Sequence, residues 1–425
     1  MTADLKTQIG AYGGQLVEDQ APLNSEEVLA MVRLIREIPP APAGPSRISL
    51  RRGIWVAAAT AVVILVLIGG VTWLVRSPGG VIGRVITEPP APTLTTVPTP
   101  TTTVPTPTTV VPAPTTPTPS PRIQSGMAYD AESNRIIIFG GTTSENIGGD
   151  LYGDTWSYDL NLNTWTDMNP AEAPSPRSDF NMAYDAESDR VVAFGGGTWA
   201  YDYNTNTWRN MSPVTSPAGA GPMVYDAESD RVVLFLVWTG APDNETWTYD
   251  FNTNTWTKME PATRPSPRTW TTMAYDAESD RVILFGGIAG RDNDETWAYD
   301  LNTNTWTKML VITRPSPRHS HALAYDTESD RVVLFGGHLP SGQSAIGVHS
   351  DETWAYDFNT NTWTNMEPPT QPLKLAAHNL AYDAESDKVV LFGGDTNGVL
   401  SDETWAYDLN ANTWTDLSPV GQESQ

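Results

Sequence analysis

The 425-residue chain contains no cysteine. That excludes disulfides, thiolate metal sites, a thiol nucleophile and any cysteine-derived cofactor. Basic residues are scarce, with 25 Lys+Arg against 50 Asp+Glu. The imbalance is local. Residues 1–121 hold 7 acids and 8 bases, whereas residues 122–425 hold 43 acids and 17 bases, a net charge of −26. So acidic a segment repels phosphates, which excludes nucleic acid as a partner. Histidine is also rare: all five lie beyond residue 318.

Charge is missing altogether from residues 53–75, GIWVAAATAVVILVLIGGVTWLV. These 23 residues suffice to cross a hydrocarbon core of roughly 30 Å as a helix. Trp55 and Trp73 sit near its ends, where amphipathic rings favour the interface. Arg47, Arg51 and Arg52 crowd the N-terminal flank, against Arg76 and Arg84 on the other side. This bias predicts a cytoplasmic N-terminus and an extracytoplasmic remainder, at the plasma membrane. Some fifty residues precede the run and no A-x-A-like site follows it, which argues for an uncleaved anchor over a signal peptide. Residues 1–52 then form a short cytoplasmic segment. Asn24 and Glu27 make a capping box, and Val28, Met31, Val32 and Ile35 share one helical face before Pro39. A helix at about 24–38 is expected, either docking a weak cytoplasmic partner or lying near the membrane. Residues 76–121 form a linker, with 12 Pro and 13 Thr among residues 88–121. Such a stretch has too little to bury. It reads as an extended polyproline II spacer of about 3.1 Å per residue, with threonines suited to O-linked sugars.

Residues 122–425 are repetitive. Tyr-Asp-x-Glu-Ser recurs six times, with its tyrosine at 129, 184, 225, 275, 325 and 382. Each copy runs into an apolar strand such as Arg331–Phe335. Five copies then carry a diglycine: Gly140–Gly141, Gly195–Gly196, Gly286–Gly287, Gly336–Gly337 and Gly393–Gly394. The third has Leu236-Val237-Trp238 instead, so its corner is expected to need less positive φ. Next comes Thr-Trp-x-Tyr-Asp, a short turn and a second tryptophan nine residues after the first. These pairs are Trp156/Trp165, Trp199/Trp208, Trp247/Trp256, Trp297/Trp306, Trp354/Trp363 and Trp405/Trp414. The turn after Asp300 predicts Trp297 opposite Trp306 across a hairpin, with the twelve tryptophans packing neighbouring sheets. Four short strands per unit, here a to d, repeated six times, predict an all-β, six-bladed β-propeller.

The diglycine after strand b and the aromatic pair on strands c and d resemble the kelch-repeat family over residues 122–425. The resemblance implies a propeller of four-stranded blades, as in galactose oxidase. The copies run in phase from strand a to strand d, so closure is expected to rest on packing between blades 1 and 6.

Turns a–b and c–d have constant length. The b–c loops do not: 13, 1, 8, 8, 15 and 9 residues separate the diglycine position from the Thr before Trp. Function concentrates on variable loops held by a rigid frame, so the b–c/d–a face is the expected binding face, dominated by 142–154 and 338–352. Candidate ligand-binding residues near it are Arg122, Arg177, Arg268 and Arg318, each seven residues before an anchor tyrosine, and Trp270 beside one of them. Guanidinium groups there would bind a carboxylate, sulfate or acidic sugar, or else pair with local acids. His319, His321, His338, His349 and His378 are the other candidates, as a ligand site or as packing. The Asp-x-Asn-x-Asn turns lack the glycine and distal glutamate of a calcium loop, and Asx-type turns explain them. No metal and no cofactor are expected.

These features predict a membrane-tethered extracytoplasmic module that recognises a glycan, a cell-wall polymer or a protein. Two alternatives stand beside it. One is a galactose-oxidase-like or other propeller enzyme; the copper-radical type is disfavoured by the lack of cysteine, and no catalytic constellation stands out. The other is a single-pass sensor coupled to a cytoplasmic partner.

Overall fold

The computed structural model describes residues 117–144, 148–236, 244–340 and 348–418. The expected helix at 24–38, the span 53–75 and most of the linker 76–121 lie outside them. Among the described residues no helix is long and apolar enough to cross a membrane.

Six four-stranded antiparallel sheets follow one another without interleaving. In chain order their strands are Gly126–Asp130, Arg135–Phe139, Thr155–Asp159 and Thr164–Asp167 in blade 1. Blade 2 has Asn181–Asp185, Arg190–Phe194, Thr198–Asp202 and Thr207–Asn210. Blade 3 has Met223–Asp226, Arg231–Leu236, Glu245–Asp250 and Thr255–Met259. Blade 4 has Thr272–Asp276, Arg281–Phe285, Thr296–Asp300 and Thr305–Met309. Blade 5 has Ala322–Asp326, Arg331–Phe335, Thr353–Asp357 and Thr362–Asn365, with a small hairpin of His338–Leu339 and Val348–His349 in its b–c loop. Blade 6 has Asn379–Asp383, Lys388–Phe392, Thr404–Asp408 and Thr413–Asp416.

After its first residue, an Arg or Lys, strand b is apolar because both its faces are covered by neighbouring blades; Val333, Leu334 and Phe335 are fully buried. At each a–b turn an aspartate caps the backbone. Asp130 Oδ1 accepts from the Glu132 and Ser133 amides at 3.1 and 3.0 Å, and Asn134 then turns left-handed at φ 54°. Each c–d turn repeats the device. Asp300 Oδ1 accepts from the Thr303 amide, and Asn304 (φ 51°) accepts from the Tyr299 hydroxyl at 2.8 Å. In blade 3, Leu236 simply lengthens strand b and pairs with Glu245, with no left-handed residue at that position.

One expectation is corrected. Trp297 does not face Trp306: the turn closes with Asp300 opposite Thr305, so Tyr299 opposes Trp306 and Trp297 opposes Lys308. Antiparallel pairing conserves the sum of partner numbers, and the two tryptophans miss it by two. All six blades share this register, with Tyr–Trp ring centroids 4.7–5.0 Å apart.

The strand d tryptophan is the inter-blade stitch. Trp306 of blade 4 packs on Phe235 of blade 3 and donates to Thr246 Oγ1 there at 2.9 Å. The same contact, with a Phe of strand b and a Thr of strand c, recurs for Trp208, Trp256, Trp363 and Trp414. Trp165 of blade 1 makes it with Phe392 and Thr404 of blade 6, which closes the ring. Met127, Ile136 and Ile138 share a buried cluster with Ala381, Val390 and Phe392 across this seam. Strands a of neighbouring blades approach one another around the central channel.

Candidate functional site

Each chain segment entering a strand a crosses the channel mouth, and five of them do so through one left-handed residue. These are Gln124, Asp179, Trp270, Ser320 and Ala377, with φ between 52° and 56°. Their backbones are chained from blade to blade. The Asp179 amide donates to Gln124 O, Gln124 to Ala377 O, Ala377 to Ser320 O and Ser320 to Trp270 O, at 2.8–3.2 Å. Blade 3, with Ala220 at this position, breaks the chain. Inside it lies a cavity of about 120 Å³. Gln124, Asp179, Asn181, Trp270, Thr272 and Asn379 contribute to its wall. Asp179 is its carboxylate; desolvation in the crowded mouth raises that carboxyl above its usual range. Trp270 is 51% exposed and stacks on His319 with centroids 5.3 Å apart. One carboxylate and several neutral hydrogen-bonding groups around one aromatic face suit a polar ligand group or an inserted side chain.

The four arginines sit outside this mouth, at the diglycine corners, and they divide. Arg122, Arg268 and Arg318 are fully buried. Each sends Nη1 to the carbonyl of the first corner glycine of its own blade and engages an acid two residues before the strand c tryptophan. Arg122 grips Asp154 bidentately at 2.7 and 2.8 Å. Arg268 reaches Glu295 at 2.7 Å, and Arg318 reaches Glu352. Burial would raise the Glu295 carboxyl, but hydrogen bonds from Lys308, Trp297 and Arg268 outweigh it and hold it at about 2. The corner glycines admit the next blade's backbone. A Cβ on Gly286 (φ 68°) would lie 2.6 Å from Arg318 O, a carbonyl that accepts from the Gly287 amide. Arg177 is half-buried and bonds Ser175 and Gly195 O, without an acid.

The histidines also divide. His321 and His378 are buried against Phe285 and Phe335, and their ring nitrogens have no partner. Burial pulls His321 well below the usual range and His378 to about 3. Both are neutral at physiological pH, pack on those rings and contribute to the wall of the mouth cavity. His338 continues the stack from Trp270 and His319, with centroids 4.8 Å apart, and meets His349 edge-on at 4.3 Å. The ends of this histidine row are held by Asp292, on His319 Nδ1 at 2.6 Å, and by the Asn397 amide, on His349 Nδ1 at 2.9 Å. Among the described residues no three His, Asp or Glu side chains converge as metal ligands.

Sequence reasoning missed the mouth itself. Gln124, Asp179, Ser320 and Ala377 share a backbone conformation but no side-chain chemistry, so nothing in their identity marks them. The acids that pair with the arginines were findable: Asp154, Glu295 and Glu352 stand at a fixed offset from the tryptophan, one that Glu245 and Glu403 share in the blades without the arginine.

No curated protein matches the chain. The KLHDC2/KLHL20/DRC7 kelch-repeats domain matches it over residues 101–262 and 234–425. That match covers well over half of the chain and coincides with the six-bladed ring; the chain belongs to the kelch-repeat family.

Proposed function

We propose that the propeller is a protein-interaction module that engages its partner with the b–c/d–a face, centred on the channel mouth, and that residues 53–75 tether it outside the cell. The observation that carries the reading is the mouth: a small polar cavity ringed by strained left-handed residues, with the ring of Trp270 exposed beside it. Backbone strain of order 1–3 kcal/mol per residue persists where the surroundings enforce it, and it clusters at ligand sites. A kelch propeller suits interaction, and the spacer and the Arg-flanked apolar run supply the reason for the tether.

The test is capture by the full chain in detergent micelles with cell-surface cross-linking. A partner held by the wild type is expected to be lost with Trp270→Ala combined with Asp179→Asn, and kept with Asn302→Ala on the opposite face. Capture that ignores the mouth variants would overturn the reading. Glycan recognition is the second reading, favoured by the exposed indole among amide and hydroxyl groups. A glycan array bound in a Trp270-dependent manner would select it.

A further inference from the structure

Blades 1, 4 and 5 share a three-part constellation. One carboxylate oxygen accepts from both an arginine Nη2 and a tryptophan indole. Asp154 Oδ2 takes Arg122 at 2.8 Å and Trp156 at 2.7 Å. Glu295 Oε2 takes Arg268 at 2.7 Å and Trp297 at 3.0 Å. Glu352 Oε2 takes Arg318 and, at 3.0 Å, Trp354. Blade 2 keeps both donors, Arg177 and Trp199, but its b–c loop is reduced to one residue, and Gly197 stands where the acid would be.

The donors remain in place. Arg177 Nε donates to Ser175 O at 2.8 Å, Nη1 to Gly195 O and Nη2 to Ser175 Oγ at 2.6 Å. Arg268 makes the same three bonds, to Ser266 O, Gly286 O and Ser266 Oγ, and adds Glu295 through its second Nη2 hydrogen. A guanidinium has five N–H donors. The Nη2 hydrogen that reaches Glu295 in blade 4 is the one Arg177 does not commit to any described side chain. Trp199 is half-buried where Trp156, Trp297 and Trp354 are buried. The glycine loop runs beside both donors: a Cβ on Gly196 would lie 3.4 Å from Arg177 Nη1, and one on Gly197 would lie 3.5 Å from Trp199 Nε1. Burial lowers the Arg177 pKa with no acid to offset it, whereas Glu295 and Glu352 push back at Arg268 and Arg318.

We infer that the blade 2 corner, Arg177 with Trp199 over Gly196–Gly197, is a carboxylate-binding site completed by an aspartate or glutamate side chain of a protein partner. The inference deepens the interaction reading and rests on it. The acid supplied in cis in three blades is supplied in trans in the second, on the b–c/d–a face. Net charge constrains the partner. A domain at −26 repels an acidic tract, but beyond a Debye length of about 8 Å that repulsion is screened, so a lone acid in a neutral segment fits.

The test reads the indole N–H resonance of Trp199 in the full chain in micelles, with ¹⁵N-labelled tryptophan and Trp199→Phe for assignment. The probe is the blocked tripeptide Gly-Glu-Gly at physiological salt, with Gly-Gln-Gly as the neutral control. The Glu peptide is expected to shift Trp199 saturably, with a midpoint on the order of 10 mM for a single isolated contact. The Gln peptide is expected to leave it in place, and Arg177→Gln to weaken the response about tenfold or more. The other 15 indole signals report whether that variant is folded. No shift, or a shift that survives Arg177→Gln in a folded protein, would overturn the site. A response to propionate but not to the peptide would overturn the partner assignment. A partner captured through the mouth yet indifferent to Arg177→Gln would sink this inference alone, whereas a saturable Trp199 shift without capture would sink the interaction reading alone.

Discussion

The two ends of the propeller are built under opposite rules. At the a–b/c–d end, all twelve turns repeat one solution: an aspartate caps the backbone, and an asparagine or aspartate goes left-handed at the last position, as at Asn134, Asp280 and Asn304. At the b–c/d–a end, loop lengths run from 1 to 15 residues, one blade lacks the diglycine corner, two lack the arginine and another lacks its acid. Stitching tryptophans are common to all six blades. Geometry that every blade needs in order to stand beside its neighbours is therefore held constant. Variation is confined to the end where it costs the ring little, and that is where binding specificity can be written.

The contrast can be broken most forcefully at the stitch. Trp306→Ala removes a buried ring and orphans Thr246, and should cost about 3–5 kcal/mol in urea unfolding. Trp165→Ala at the seam should cost the same, and a much smaller loss there would show that the sixth interface is not equivalent to the others. Next comes the acid. Glu295→Gln leaves the Arg268 charge buried without its counter-ion and should destabilise by about 3 kcal/mol. Arg177→Gln, at the corner with no acid, should cost no more than about 1 kcal/mol. An effect between those of Glu295→Gln and Arg177→Gln is expected from pH. Burial depresses His378 to about 3, so below pH 6.5 the unfolded chain takes up the proton that the folded chain refuses. Stability is then complete above pH 6.5 and is lost as pH falls toward 3. The loss should reach about 2 kcal/mol by pH 5, at about 1.4 kcal/mol per pH unit. His378→Phe, the residue blade 2 carries here as Phe180, should reduce the drop in Tm between pH 7 and pH 5. An effect as small as that of Arg177→Gln belongs to a single turn. Asn304→Ala, which loses the Tyr299 bond and strains φ, should cost about 1 kcal/mol, and the equivalent change at Asn361 should match it.

The frame was legible in the sequence because it repeats. Six anchor tyrosines, six apolar b strands and six tryptophan pairs gave the blades and their order, and in-phase copies pointed to closure by packing, as Trp165 on Phe392 and Thr404 shows. The hairpin register was misread because spacing between two aromatics does not fix pairing until the closing pair of the turn is known. At the variable end, side-chain identity carried less. The arginine motif marked a real corner, yet whether a guanidinium is sealed or open depends on a residue 20 to 34 positions away, in a loop of changing length. The mouth was illegible because its five ring positions agree only in backbone torsion, which residues as different as Trp270 and Ala377 adopt alike.

The in-phase blades have a mechanical consequence. Five interfaces are bridged by continuous peptide; the interface between blades 6 and 1 is bridged only by contacts. The chain enters the ring at Arg122, whose amide donates to Ser401 O of blade 6. Tension delivered along the preceding segment therefore loads the one junction without a covalent tie. Under load the ring would unzip from that side, with Trp165 as its latch.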